Sequence, residues 1–418
     1  MPLQKVKGTY DLLPEQMRKM NFLSDLFKHY LDLYGYSEMK TPVFEYTGVY
    51  KKENDTSDMV TKEMYTFSVN GKDSLTLRPE GTAGIIRSLV ENKLYSSNEL
   101  PIKLGYIEEM FRHERPEKGR QRQFTQFGVE CIGDKDPLID AEVIALGYFY
   151  IKALGLKDIK VLINTLGDNE SKLTYKQELQ TYFESYKDKL CFDCQNRLDK
   201  NPLRILDCKI DHDKECVQNA PKMKLTEEAS SYFEKVKHYL EVMEIPYEVD
   251  DKLVRGLDYY TDTVFEVIST NEASGSQSTI FGGGRYDNLV VEMGGPSISG
   301  IGFAIGAERL MILAEAENIF NLTKSIDAYI IVLDENKDYA LSILKELRDN
   351  GFTAEMDYYK RSLKAQFKTS ERRKARYVLI IGEDEIRENK VTIKDAVNKS
   401  QETIDKENLI EKLKEEKV

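Results

Sequence analysis

The sequence predicts an α+β domain built on a mainly antiparallel sheet, interrupted by a helical insertion and followed by a smaller α/β domain. Three observations carry that expectation. Residues 112–133 (RHERPEKGRQRQFTQFGVECIG) read as a hairpin, with charged and turn residues at 115–120 and a strand of period-two character after them. From about Asn169 to Glu244 the texture changes to lysine- and glutamate-rich helical segments, and strands resume beyond it. After Thr323 apolar strands alternate with an amphipathic helix, the pattern of a small, largely parallel sheet. The expected boundaries are 1–168 and 245–323 for the two parts of the first domain, 169–244 for the insertion and 326–418 for the last domain.

Composition narrows the class before any motif is considered. At 418 residues the chain can hold two or three cores, and 32% charged with 41% hydrophobic residues is the balance of a water-soluble globular protein. No apolar run approaches a membrane span, and MPLQKVKGTYD lacks a signal peptide's apolar core, so the cytoplasm is the expected compartment. A net charge of −12 argues against general coating of nucleic acid, while leaving room for a local basic patch.

In chain order, residues 14–34 place Met20, Leu23, Leu26, Phe27, Tyr30 and Leu31 at helical spacing, with Pro14 in the first turn and Gly35 at the stop. The following strand contains Pro42, which cannot donate to a ladder, so it belongs at a sheet edge or an interface such as a dimer contact. Residues 74–90 (SLTLRPEGTAGIIRSLV) form a strand that turns at Pro79-Glu80-Gly81 into a helix, where Thr82 either caps the helix or faces a ligand beside Glu80. A further strand leads into the hairpin, a helix covers 140–154, and a strand ends at Gly167. Residues 253–267 (LVRGLDYYTDTVFEV) read as a strand with Arg255 and Tyr259 on one face and Tyr260 on the other. FGGGRYD, 281–287, reads as a glycine loop, and GIGFAIGAERL, 300–310, as a strand passing into a helix with Arg309 in its first turn.

The strand after the hairpin loop sorts into two faces. Arg120, Arg122, Phe124, Gln126, Gly128 and Glu130 share one; Phe127, Val129 and Cys131 share the other. Cations, an aromatic plate, an amide and a carboxylate in one row suit phosphates, a flat base and an ammonium group. A solvated sheet face is the plainer alternative. The spacing Gly300-x-Gly302-x-x-x-Gly306 is not a dinucleotide fingerprint, and no P-loop is present, so any nucleotide must be held by arginines on the antiparallel sheet.

Five cysteines remain. Cys131 fits a small apolar filler. Cys191, Cys194, Cys208 and Cys216, with His212 between the last two, could supply a zinc site, but the second pair is spaced too widely for a standard knuckle, and reduced thiols are the simpler reading. In the last domain, Lys360, Arg361, Lys364, Lys368, Arg372 and Arg373 make a basic block that either is solvated or meets nucleic-acid phosphates.

At these residues the chain resembles the class II aminoacyl-tRNA synthetases, and within them the histidyl-tRNA synthetase family. TPVFEY with Pro42, the hairpin stretch and GIGFAIGAERL resemble the three motifs of the class, while LVRGLDYYTDTVFEV and FGGGRYD resemble two signatures of the histidine enzymes. The resemblance spans nearly the whole chain, and implies a class II catalytic domain and a C-terminal anticodon-binding domain. It implies activation of L-histidine by ATP with Mg²⁺ to histidyl-adenylate, then transfer to the 3′ end of tRNA(His), with AMP and pyrophosphate released. No tightly bound cofactor and no membrane partner are expected, and the assembly implied is a homodimer. By resemblance Arg112 grips the α-phosphate beside the histidine, Arg120 and Arg309 hold the outer phosphates, and Phe124 stacks on adenine. Arg255 resembles the catalytic arginine that bridges the histidine carboxylate and the α-phosphate. Glu80, Gly81, Thr82 and Gln126 resemble the α-amino pocket, and Glu130 with Tyr259 or Tyr260 the imidazole pocket. Synthetase-like regulatory subunits that sense histidine without activating it lack the C-terminal domain and parts of the histidine signatures; this chain keeps both.

Overall fold

The strand that follows the hairpin loop lies inside an eight-stranded sheet, third in its order. The computed structural model describes residues 3–51, 57, 59–96, 100–206, 208, 210–256, 259–271, 279–322, 325–333, 337–359 and 361–415. The chain divides into two compact units, Met1–Phe320 and Asn321–Val418.

In the first unit the strands are β1 (Ser37–Glu38), β2 (Phe44–Tyr46), β3 (Thr66–Val69), β4 (Asp73–Leu77), β5 (Ile102–Phe111), β6 (Gln123–Gly133), β7 (Ile159–Thr165), β8 (Glu248–Val249), β9 (Thr261–Ser269), β10 (Thr279–Tyr286) and β11 (Ser299–Gly306). The helices are α1 (Pro14–Leu33), α2 (Thr82–Glu91), α3 (Pro137–Leu154), α4 (Asn169–Glu184), α5 (Phe192–Lys200), α6 (Leu203–Leu206), α7 (Glu215–Gln218), α8 (Glu227–Val242), α9 (Leu289–Glu292) and α10 (Ala307–Ala316). Eight strands make one sheet in the order β1-β5-β6-β11-β10-β9-β7-β8, and β2-β4-β3 make a small second sheet. All pairings from β5 across to β7 are antiparallel; only the two short outer strands, β1 and β8, pair in parallel.

Period two decides which face of that sheet is closed. Phe127, Val129 and Cys131 of β6 enter a core with Phe265 and Val267 of β9 and Ile301, Phe303 and Ile305 of β11. Helices α1, α3, α8 and α10 cover that face through Leu23, Phe27, Ile144, Ile151, Val236, Leu240 and Leu310. Helix α3 is apolar on nearly every side because it lies between the sheet and other helices; Asp136 caps it by accepting from Leu138 N at 2.8 Å, and Gly155 ends it at φ +99°. The opposite face carries two separate apolar clusters. One gathers α2 and α9 over Tyr106, Ile132 and Tyr286; the other gathers α4 to α7 with Tyr260 and Val264. The floor between them is left open.

Several expectations change here. The segment 169–244 does not behave as one body, since α8 contributes Phe233, Val236 and Leu240 to the main core while α4 to α7 build their own. The strand expected from Leu253 begins only at Thr261, and Asp262, just inside it, takes φ +39°; of the expected stretch, Leu257 and Asp258 lie outside the described residues. FGGGRYD is not a loop but most of β10, a central strand. Its glycines carry no side chain to reveal a period, and they are needed for close approaches described below. Pro42 lies between β1 and β2, each at a sheet edge.

The second unit has β12 (Ile326–Val332), β13 (Ala354–Met356), β14 (Ala375–Ile381), β15 (Lys390–Asp395) and β16 (Gln401–Asp405), with helices α11 (Asp338–Asp349), α12 (Leu363–Arg372), α13 (Glu383–Glu388) and α14 (Leu409–Glu415). The order is β13-β12-β14-β15-β16; the first three run parallel and the last two antiparallel, so the sheet is mixed. Strand β12 is buried on both faces, Ala328, Ile330 and Val332 against one core and Tyr329 and Ile331 against the other. That double burial explains the apolar run Ala328–Val332.

Candidate active site

The open floor of the large sheet is a cleft of about 1080 Å³. Glu80, Thr82, Arg112, Arg120, Phe124, Gln126, Glu130, Arg255, Tyr259, Tyr260 and Arg309 all line it. Gly81 instead packs under the Tyr106 ring, where no Cβ would fit.

Burial of a polar row on β6 is the first notable feature. Glu130 is 1% exposed and Gln126 8%, so this face is not the solvated alternative. Thr82 Oγ1 and the Tyr286 hydroxyl each donate to one Glu130 oxygen at 2.6 Å. Burial nonetheless pushes the Glu130 carboxyl up to about 8, against those two bonds. Gly302, opposite Glu130 in the ladder, leaves the room this carboxylate needs; a Cβ there would run into Glu130 Oε2. Gln126 Oε1 and the Tyr106 hydroxyl are buried with no hydrogen-bond partner among the described residues, and both residues line the cleft. Such orphaned polar atoms cost free energy unless a ligand satisfies them.

Glu80 sits at the start of α2. Its oxygens accept from Thr82 N at 2.7 Å and Ala83 N at 2.8 Å, so Glu80, not Thr82, caps the helix. Thr82 is thereby free to turn its hydroxyl to Glu130. Burial raises the Glu80 carboxyl, opposed by these amides and by the Arg112 charge.

Four arginines surround the floor. Arg112 donates from Nε to Pro79 O at 2.8 Å and lies over the Phe124 ring at 5.3 Å, covering one of its faces. Arg120 pairs with Glu114 at 3.1 Å within the hairpin loop, which lies before β6 begins; Arg122 bonds Glu114 O and does not line the cleft. The alternation expected from Arg120 therefore holds only from Phe124 onward, because the loop closes on a Glu117–Arg120 bridge. Arg309 donates to Thr279 O at 2.6 Å, and burial together with the nearby Arg120 charge lowers its affinity for its proton. Arg255 pairs with Glu266 Oε1 at 3.0 Å, and Glu266 also accepts from Thr279 Oγ1 at 2.6 Å. The Arg255 guanidinium lies on β10 where a Gly282 Cβ would stand 2.7 Å away. Tyr259 and Tyr260 both line the cleft, rings 4.7 Å apart, which corrects the opposite-face expectation: this segment precedes the strand, so period two does not apply.

Sequence reasoning missed Tyr286 and Tyr106, whose roles depend on β6, β10 and α2 meeting, and Glu266, the partner of Arg255. It also placed Arg285 in a loop, whereas that side chain is fully buried, with its Nε 2.9 Å from Asp140 Oδ1.

Two further sets need correction. Cys191, Cys194 and Cys208 do cluster, but the fourth member is Asp211. Cys216 belongs to the apolar cluster of α4 to α7, and His212 pairs with Asp213 at 3.2 Å. In the basic block, Lys360 lies outside the described residues. Arg361 is occupied, donating to Asp357 Oδ1, to Thr369 Oγ1 at 3.1 Å and to the Tyr329 hydroxyl at 3.2 Å, and Arg373 pairs with Glu355 at 2.9 Å. Lys364, Lys368 and Arg372 are exposed on or beside α12.

The chain is similar to known proteins over its full length. Residues 8–310 match the family model described as histidyl-tRNA synthetase, and residues 327–416 match the anticodon binding domain. The chain is 48% identical to a histidine–tRNA ligase of Listeria innocua over the full length of both chains. It is 48% identical to a histidine–tRNA ligase of Bacillus subtilis, covering 93% of each. The apo crystal structure of histidyl-tRNA synthetase from S. aureus superposes with a TM-score of 0.86 at 38% identity, covering 99% of this chain and 100% of that one.

Proposed function

The chain belongs to the histidyl-tRNA synthetase family and is a histidine–tRNA ligase, and from that premise we propose how its cleft divides the work. The class uses ATP with Mg²⁺ as substrate. In this reading the histidine carboxylate attacks the α-phosphorus of ATP, pyrophosphate leaves, and the adenylate then passes its acyl group to the 3′ end of tRNA(His), releasing AMP. The reaction crowds anions together and offers little covalent chemistry to the protein, so positioning and cationic stabilisation must carry the rate.

The floor suits that task. Strands β6 and β10 are separated only by β11, which sets their axes about 10 Å apart. Glu130, at the β6 side, accepts an imidazole N–H; Gln126 and Glu80, with Thr82 beside them, receive the α-ammonium group. Arg255, on the β10 side, spans the histidine carboxylate and the α-phosphate. Arg112 holds the α-phosphate from the β5–β6 end, Arg120 and Arg309 hold the β- and γ-phosphates, and Phe124 offers a ring to adenine. The observation that supports this reading most is the buried Glu130 carboxylate, fixed by two hydroxyls on the same floor as four arginines. An apolar amino acid would leave that carboxylate without the third, charge-assisted bond the imidazole supplies, and sites built on such bonds reject analogues by roughly 10⁴-fold.

The exposed Lys364, Lys368 and Arg372 of the second unit are proposed to meet tRNA phosphates. A homodimer through the β2 edge is proposed because Val43, Phe44 and Tyr46 stand exposed there. No described helix is long and apolar enough to cross a membrane, and the cytoplasm is the proposed location. Pyrophosphate exchange into ATP with each of the twenty amino acids tests the assignment: histidine alone should stimulate it. Silence with all twenty, alongside measurable histidine binding, would overturn it.

A further inference from the structure

The cysteine cluster is not used by the chemistry above, yet it is built like a metal site. We propose that Cys191, Cys194, Cys208 and Asp211 bind a structural Zn²⁺ that braces the wall of the cleft beside Arg255. Three thiol sulfurs and a carboxylate oxygen lie within 4.8 Å of one another, three of the four residues being buried. Cys191 Sγ and Cys208 Sγ are 3.7 Å apart. Two sulfurs about 2.3 Å from a tetrahedral zinc would lie about 3.8 Å apart, whereas a disulfide needs about 2.05 Å.

The local backbone explains how the ligands converge. Cys191 is the N-cap of α5 and Cys194 stands in its first turn, so both sulfurs leave one helix end. Cys208 and Asp211 sit on the turn after α6, where His212 N bonds Cys208 O at 2.8 Å. In sequence the set is Cys-x-x-Cys, residues 195–207, then Cys-x-x-Asp: a two-pair zinc pattern with aspartate in the last place. Surrounding groups hold the carboxylate. Cys191 N donates to Asp211 Oδ2 at 2.8 Å, and Lys214 Nζ lies 2.7 Å from Oδ1, offsetting part of the negative charge that three thiolates and a carboxylate bring. Four protein ligands leave no open position, which marks a structural rather than a catalytic ion.

The consequence reaches the cleft. Leu206, Cys208 and His212 line it, and Arg204 of α6 donates to Gly256 O at 2.8 Å, next to Arg255. Metal at Cys208 thus fixes α6, and α6 fixes the segment that presents Arg255.

Full-length protein purified without chelator should carry about one zinc per chain by elemental analysis. Cys194→Ser and Cys208→Ser should lower that content at least about tenfold and Asp211→Asn should weaken retention against a chelator, while Cys216→Ser and His212→Ala keep the metal. Because a cysteine variant could fail to fold, wild-type protein supplies the second measurement. Stripping with chelator should raise the thiols reactive to Ellman's reagent by about three per chain, matching the three cysteines, and added Zn²⁺ should protect them again. Protein that holds no zinc and takes up neither Zn²⁺ nor Co²⁺ would overturn the proposal. So would thiols that appear only with reductant, which would make Cys191 and Cys208 a redox pair, or zinc lost in Cys216→Ser but kept in Cys208→Ser.

Discussion

Replacing Glu130 with glutamine tests the imidazole pocket with minimal change of shape. The carboxylate accepts from Thr82 and Tyr286, one hydroxyl per oxygen, and is proposed to accept a third bond from substrate. Glutamine keeps one acceptor oxygen and turns the other position into a donor, so the charge-assisted bond to histidine is lost. Such a bond contributes about 1.5–3 kcal/mol, which corresponds to a fall of roughly 10- to 150-fold in kcat/KM for histidine. The pH profile is the sharper readout. With the Glu130 carboxyl pushed up to about 8 and free imidazole near about 6.5, one proton shared between them matches the pair between those values. Wild-type kcat/KM in histidine-dependent pyrophosphate exchange should therefore form a bell with limbs near these two values, and E130Q should lose the alkaline limb. Thermal melts separate this from unfolding. The folded value lies above the unfolded one of about 4.3, so the carboxyl favours the folded state below about pH 4.3, and that advantage disappears as pH rises to about 8. E130Q should accordingly gain on wild type across that window. An unchanged alkaline limb in E130Q, or a kcat/KM within about twofold of wild type, would refute the assignment.

Other expectations follow from the same geometry. Arg255→Ala should keep its fold by circular dichroism, yet lose about 10²- to 10⁴-fold in adenylate formation, since two charge-assisted bonds disappear; near-normal activation would remove its assigned role. The triple variant Lys364→Ala, Lys368→Ala, Arg372→Ala should weaken tRNA binding and reduce the slope of log K against log salt by about 2–3, and an unaltered slope would make α12 merely solvated. Phe44→Glu with Tyr46→Glu should shift sedimentation towards monomer if the β2 edge is the dimer contact, whereas an unshifted dimer would place the interface elsewhere.

Legibility from sequence tracked how one-sided the burial is. Helix α1 and strands β6 and β12 could be read because one face, or both, is consistently apolar. Strand β16, QETID, has only Ile404 partly packed on a core and carries no period to detect. Strand β10 was hidden for the opposite reason: three glycines in a fully buried strand look like a turn. Among site residues, the arginines and Glu130 stood out as charges in structured segments. Tyr286 and Glu266 became visible only when distant strands were paired, since nothing local marks a tyrosine or glutamate as the partner of a residue more than a hundred or some ten positions away. Asp211 was overlooked because a search for cysteine and histidine ligands passes over a carboxylate at the fourth position.

The floor of the cleft owes its contour to atoms that are missing. Gly282 lets Arg255 lie flat and Gly302 makes room for Glu130, while Gly81 and Gly128 admit the Tyr106 ring. A cavity shaped by hydrogen atoms in place of side chains can be altered in one direction only. Every substitution at these positions subtracts space, and none can add it. Directed evolution towards a bulkier amino acid would have to begin at the walls, at Tyr106, Tyr259 or Leu206, because the floor already stands at its lower limit of size.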